Sequence, residues 1–324
     1  MPLPTSIPIF RRQGFISGDI SHTIMEHDVV IIGGGAAGLT AGIYAVRAGL
    51  DAIVIEKGVA GGLMAEAPSV ENYPGFRSIG GMELAQKIAE HSRDYVNILE
   101  GVEVISARRD DDMFIINTSN GMIRSRAVII ATGTKHRTLG IDGEERLRGR
   151  GVSYCATCDG FFFRGKKVLV IGGGDSAIKE ALYLMNIGCD VTVVHRRDKL
   201  RAEHAVQEQF FNSGGEVIWN ATVSRIVGES FVEGAVINKE GKEEIIKADG
   251  IFIAIGEVPQ TDIALGLGVH LDDNGYILVD KTQRTNIGYV YAAGDVTGGV
   301  RQIVVACAEG AVAALSAYED LKRV

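Results

Sequence analysis

Between residues 28 and 57 the chain reads DVVIIGGGAAGLTAGIYAVRAGLDAIVIEK, and its polarity pattern changes period twice. An unbroken β-branched run comes first, the pattern of a strand buried on both faces. A glycine turn follows, then apolar positions at helical spacing, then a second β-branched run that closes on Glu56. Residues 167–196 read KVLVIGGGDSAIKEALYLMNIGCDVTVVHR and repeat that order at one constant offset. Gly33 falls on Gly172, Gly35 on Gly174 and Glu56 on His195. Strand, glycine turn, helix and strand form the βαβ unit of a dinucleotide-binding fold, here present twice. The fold class expected is α/β, with two Rossmann-like dinucleotide-binding domains.

Two further apolar runs, 127–133 (AVIIATG) and 250–256 (GIFIAIG), each close one nucleotide-binding half. Residues 289–295 (YVYAAGD) read as another strand, followed by a helical pattern from about 302 to 321. Nothing in the second repeat matches that tail, so it is assigned to the first domain. The first domain then spans 28–133 and 260–324, and 134–259 is inserted in it. Two crossing strands join them, a connection that permits rigid-body rotation. Residues 1–27 contain Pro2, Pro4, Pro8, Arg11 and Arg12 without a clear period and are expected to form a flexible arm, although the folded unit can begin as early as Met25.

Composition narrows the function classes. The chain of 324 residues is 46% hydrophobic with a net charge of −8, which argues against a nucleic-acid surface as its main purpose. No apolar run approaches the ~20 residues of a membrane span, and the N-terminus lacks the apolar core of a signal peptide. A cytoplasmic enzyme is expected. The 42 glycines cluster after apolar runs, where nucleotide loops need a backbone without a Cβ.

Gly33-X-Gly35-X-X-Gly38 lies between a strand and a helix, the context the dinucleotide fingerprint requires. Gly33 makes the turn, Gly35 lets a pyrophosphate approach, and Gly38 permits close helix packing. Ala36 and Ala37 open the helix, whose free N–H groups face the phosphates. Glu56, with Lys57 after it, stands where a carboxylate accepts hydrogen bonds from an adenosine ribose. That acid repels a 2′-phosphate, so the site suits FAD or NAD rather than NADP. Taken alone, the three glycines would also fit a plain strand–helix turn.

The second fingerprint is Gly172-X-Gly174-X-X-Ala177, with Asp175 and Ser176 opening its helix. In place of the acid stand His195, Arg196 and Arg197, with Arg201 four residues beyond. Guanidinium forks match phosphate oxygens. The alternative is a solvated basic loop. Position favours a pocket for the 2′-phosphate of NADPH.

Cys155-Ala156-Thr157-Cys158-Asp159 precedes the second repeat. The C-X-X-C spacing suits a redox disulfide, because one thiolate attacks and its neighbour resolves. Half a zinc site is the rival, and no second pair of ligands completes one. Asp159 can shuttle a proton or cap a helix, and the sequence leaves both open. Cys189 and Cys307 read as small buried hydrophobes.

Taken together, GGGAAG, the loop GGLMAEAPSVENYPG (61–75), ATG (131–133), CATCDGFF, GGGDSA, HRRDKLR and AAGDVTGGVRQ are similar to the low-molecular-weight thioredoxin reductases, from Asp28 to the C-terminus. The resemblance implies FAD in the first domain, NADPH in the second, a homodimer, and thioredoxin as partner. It implies flavin contacts at Gly61, Gly62, Asn72, Thr132, Gly133, Gly294, Asp295, Arg301 and Gln302, with the helix after Arg301 turning its positive end toward the flavin. It further implies that Cys158 lies nearer the flavin than Cys155, and that Asp159 is the acid–base group. Leu63 departs from the glutamine that family members often carry there. Because nicotinamide and disulfide would ride on one domain, a swivel about linkers near Gly133 and Gly256 is expected. A flavin-dependent dithiol oxidase, a reductase of a glutaredoxin-like partner and a non-catalytic flavin-binding protein are the alternatives.

Overall fold

The computed structural model describes residues 25–67 and 70–322. The chain opens with β1 (Met25–Ile32), α1 (Ala36–Arg47) and β2 (Ala52–Glu56), the first βαβ unit, and continues through α2 (Gly81–Arg93) to β3 (Asn97–Glu100). A meander follows of β4 (Val104–Asp110), β5 (Met113–Thr118) and β6 (Gly121–Ile130), and then a short strand β7 (Thr134–His136) leaves the domain. The inserted part holds β8 (Val152–Ser153), α3 (Ala156–Asp159), β9 (Lys167–Gly172), α4 (Asp175–Asn186), β10 (Asp190–Val194), α5 (His204–Asn212) and β11 (Glu216–Ile218). It ends with the hairpin strands β12 (Ala221–Val227), β13 (Gly234–Lys239) and β14 (Lys242–Lys247), then β15 (Gly250–Ala254). The return strand β16 (Glu257–Pro259) leads to α6 (Asp262–Gly266), β17 (Val290–Ala292) and α7 (Ile303–Lys322).

Sheet order explains how a repeat in sequence becomes two bodies. The first sheet runs β3-β2-β1-β6-β5-β4. The C-terminal half of β6 pairs with β17, which brings the chain's end back to the first unit. Strand side chains alternate between faces. Val29 and Ile31 accordingly pack with α1 and the alanine face of α7, whereas Val30 and Ile32 pack with the meander and α6. The second sheet runs β11-β10-β9-β15-β8. Val168 and Val170 meet α4, and Leu169 and Ile171 meet the β12–β14 sheet. Each unit thus buries its central parallel strand on both faces, which the unbroken apolar runs require. The α/β fold of two Rossmann-like units expected from the repeat is the one adopted.

Between the two bodies runs a two-stranded antiparallel ribbon, with Thr134 opposite Pro259 and His136 opposite Glu257. The first strand begins at Met25, the earlier of the two starts the sequence left open. Met25, Glu26 and His27 register with Ile123, Arg124 and Ser125, because β6 extends back far enough to offer them partners. The rest of that arm, residues 1–24, lies outside the described residues. Among the described residues no helix is long and apolar enough to cross a membrane.

Candidate functional site

The first glycine turn is closed by contacts that admit no larger residue. Gly33 has φ +109°, and a Cβ there would come within 2.2 Å of the Ala131 carbonyl oxygen. A Cβ on Gly38 would come within 1.8 Å of the Gly33 oxygen, so α1 can start directly on the turn only with glycine at that position. Ala36 and Ala37 form the first residues of α1. The Glu56 carboxylate accepts a hydrogen bond from the Gly34 N–H at 2.7 Å and from the Gly58 N–H at 2.8 Å. These fix it beside the turn with lone pairs left over for a ribose. The loop carrying Gly61 and Gly62 folds over the same place, its Gly61 N–H donating to the Gly34 oxygen at 2.8 Å.

From this turn a cavity of about 1100 Å³ opens between the two bodies. Its size matches or exceeds the roughly 300–1,000 Å³ of ordinary small-molecule sites. Gly33, Gly35, Ala36, Ala37, Glu56 and Lys57 line one end. Gly61, Gly62, Asn72, Thr132 and Gly133 continue the wall, and Gly294, Asp295, Arg301 and Gln302 complete it. The shape, the bare glycine turn and the ribose-facing acid fit an extended adenine dinucleotide.

The disulfide enters the same cavity. Cys155 and Cys158 are bonded to each other and both line it, as does Asp159. The inserted domain supplies this segment, and two contacts hold it to the first domain. Gln302 Nε2 donates to Thr157 Oγ1 at 3.3 Å while its Oε1 accepts from Asn72 Nδ2 at 3.0 Å. Arg148 pairs with Glu66 of the flavin-type loop and lies 5.0 Å from the Tyr154 ring centre, next to Cys155. Asp159 does not cap a helix with its side chain. Its Oδ2 accepts from Ser153 Oγ at 2.6 Å, and its buried Oδ1 has no hydrogen-bond partner among the described residues. Burial raises its pKa, with the Ser153 hydrogen bond opposing. A carboxyl so placed holds a proton more readily than one in water.

Further along the wall, Arg301 and Asp295 meet charges that the sequence did not announce, Glu257, His136 and Glu180. Glu257 Oε2 meets Arg301 Nη1 at 2.9 Å and accepts from Thr134 Oγ1 at 2.7 Å, and its Oε1 lies 3.4 Å from His136 Nδ1. Burial alone would push this carboxyl up, but His136, Arg301 and Thr134 together carry its pKa down to about 2. Asp295 is pushed up to about 6, first by burial and then by the negative charge of Glu257. Glu180, on α4, is pushed up to about 7 by burial, against the opposing charge of Arg301. Gln260, just past the ribbon, ties two parts of the nucleotide wall together. Its Oε1 accepts from Lys57 Nζ at 2.8 Å and its Nε2 donates to the Thr132 oxygen at 2.7 Å. Glu257 and Gln260 both sit in the stretch GEVPQ, where only Gly256 carried a sequence signal.

The second fingerprint lies elsewhere. Of its residues, Ser176 lines the cavity, while Gly172, Gly174, Asp175, Ala177, His195, Arg196, Arg197 and Arg201 do not. His195 is buried, its Nε2 3.1 Å from the Lys199 oxygen and its ring edge-on to Trp219. Burial lowers its pKa. Arg196, Arg197 and Arg201 are exposed, and none has an ion-pair partner among the described residues. The Arg201 N–H donates to the Gly173 oxygen at 2.7 Å, which docks the arginine segment on the glycine turn. Asp175 accepts from the Glu203 N–H at 2.8 Å and braces the same segment. Cys189 is buried as expected. Cys307 is only half-buried, because it faces Tyr73 of the long loop, 3.9 Å from the hydroxyl, rather than the core.

Comparison with known proteins gives a consistent answer. The sequence model described as pyridine nucleotide-disulphide oxidoreductase matches residues 27–310. A thioredoxin reductase of Listeria monocytogenes is 45% identical over 304 residues, covering 91% of this chain and 95% of that protein. The structure of thioredoxin reductase from Streptococcus pyogenes superposes with a TM-score of 0.87 at 40% identity, covering 92% of this chain and 99% of that one. The thioredoxin reductase of T. acidophilum is 45% identical over the same shares, 92% and 99%, yet superposes at only 0.64.

Proposed function

This chain belongs to the pyridine nucleotide-disulphide oxidoreductase family, and we propose that it is an NADPH-dependent, FAD-containing thioredoxin reductase. One observation carries the reading: the Cys155–Cys158 disulfide lines the cavity that starts at the first glycine turn and Glu56. A cavity with an acid at its ribose end suits FAD, and the exposed arginines docked on the second turn suit the 2′-phosphate of NADPH. FAD, when bound, would supply the two-electron relay between nicotinamide and disulfide.

The protein's own residues would do the rest. Reduction opens the Cys155–Cys158 bond, and Asp159, held as a proton store by burial, protonates one departing sulfur. The dithiol then attacks the thioredoxin disulfide, one cysteine forming the mixed disulfide and its neighbour resolving it. Across the cycle NADPH and one proton are consumed, and the partner gains two thiols.

The second glycine turn does not line the cavity that holds the disulfide, which favours a second pose for delivery from NADPH. The inserted domain would swivel on the β7–β16 ribbon, whose flanking Gly133 and Gly256 both have positive φ. Unequal superposition on two relatives of similar identity supports a hinge of this kind, since a changed domain angle lowers whole-chain agreement without changing either domain. The resemblance also supports a homodimer working in the cytoplasm.

Anaerobic titration with NADPH, followed by steady-state reduction of the host's thioredoxins with NADPH and with NADH, tests the proposal. Bleaching of a bound flavin and thioredoxin reduction with preference for NADPH are expected. A protein that stays oxidised under NADPH sinks the reading.

A further inference from the structure

Glu257 belongs to neither nucleotide-binding motif, and nothing so far gives it a task. It lies on the hinge strand β16, its side chain only 12% exposed, and it lines the cavity. Its carboxylate grips Arg301 just ahead of α7 and Thr134 and His136 on the opposite hinge strand. Among the described residues no other carboxylate forms an ion pair with Arg301. A half-buried guanidinium with a single ion-pair partner takes its direction from that partner, since its planar fork loses little freedom for each bond it makes.

We infer that Glu257 is a positioning residue for the redox reaction: it fixes the orientation of Arg301 and compensates that positive charge within the cavity. The inference rests on the reading that flavin occupies this cavity. A cation near a flavin favours its anionic reduced form, so an uncompensated Arg301 would hold electrons on the flavin instead of releasing them to the disulfide. Glu257 counters that pull. Its anchorage on the hinge ribbon keeps the compensating charge attached to the element on which the domains would turn.

A purely structural role for Glu257 predicts something different, because Glu257→Gln keeps the shape and an acceptor for Thr134 while removing the charge. The test is the midpoint potential of the flavin-loaded protein. In Glu257→Gln the flavin should remain bound at wild-type stoichiometry, with its equilibrium biased about tenfold toward the reduced form, a rise of about 30 mV for two electrons. The same substitution made in an Arg301→Gln background should move the potential by less than half as much. An unchanged potential in Glu257→Gln, or an equal shift with and without Arg301, overturns the inference. Should Arg301→Gln fail to hold flavin, a crystal structure of flavin-loaded Glu257→Gln decides: Arg301 displaced supports the role, and Arg301 unmoved overturns it. Wild-type protein that binds no flavin would overturn the cavity assignment and this inference with it.

Discussion

The two βαβ units start from the same glycine turn and part company at the end of their second strand. In the first, Glu56 is drawn against the turn by the N–H groups of Gly34 and Gly58. In the second, His195 takes the equivalent place but is buried, its ring filling the space a Cβ on Gly173 would need. The following arginines are therefore turned out to solvent beside the turn. One unit offers a pinned acid at the end of a cavity, and the other offers exposed cations with no ion-pair partner among the described residues. Backbone geometry sets where a dinucleotide lies, and the strand-end residue sets which one is accepted.

The largest effect should come from the element the two units share. Cys158→Ser is expected to lower thioredoxin reduction on the order of a thousandfold or more, because no dithiol remains to exchange. Reduction of flavin by NADPH in an anaerobic titration should persist, since both nucleotide sites are untouched. Loss of flavin reduction as well would mean that the sites are not separable.

Next in size is the third position of each fingerprint. Gly38→Ala places a methyl 1.8 Å from a backbone oxygen and should cost about 3 kcal/mol or more in chemical denaturation. The reverse exchange in the second unit, Ala177→Gly, only loosens a buried helix start and should cost about 1 kcal/mol. Equal costs would show that the two turns are not as different as their contacts indicate.

Removing the cations should then erase the second unit's preference. With Arg196, Arg197 and Arg201 all changed to Ala, the preference for NADPH over NADH should fall by about 100-fold, as two charge-assisted contacts to a phosphate are lost. Steady-state kinetics with both nucleotides measures it, and NADH constants that fall equally would refute phosphate recognition.

The smallest effects are in pH dependence, and Asp295 and His195 should move oppositely. Asp295, in the first domain, has its pKa raised from 3.8 to about 6, so the folded state holds its proton more tightly than the unfolded chain does. Its stabilisation is complete below 3.8 and is lost as pH rises through about 6. His195 has its pKa lowered from 6.5, so the unfolded chain binds its proton first, and stability is lost as pH falls below 6.5. Denaturation midpoints of flavin-free protein between acid and neutral pH should show both slopes. Asp295→Asn should weaken the first, with Glu180 keeping part of it, and His195→Gln should weaken the second.

Much of this was written in the linear pattern. Period changes in apolar residues marked each βαβ unit, because a strand buried on both faces and a one-faced helix leave different spacings in any sequence. Glu56, the arginine run and the cysteine pair were legible for the same reason: each lies at a fixed distance from a glycine turn in its own unit. Glu257, Gln260, Tyr154 and Glu180 were not. For Glu257 and Gln260 the partners, Arg301 and Lys57, come from distant stretches of chain, and a lone acid or amide beside a strand has no local period to betray it. The start of β1 at Met25 was open in the sequence as one option, and its pairing partner lies in the distant β6. Local chemistry therefore determined which cofactors and which thiols the chain can use. Only the tertiary structure decided that the disulfide shares a cavity with the first glycine turn and not the second, because that choice depends on the angle at a ribbon whose pairing no short segment encodes.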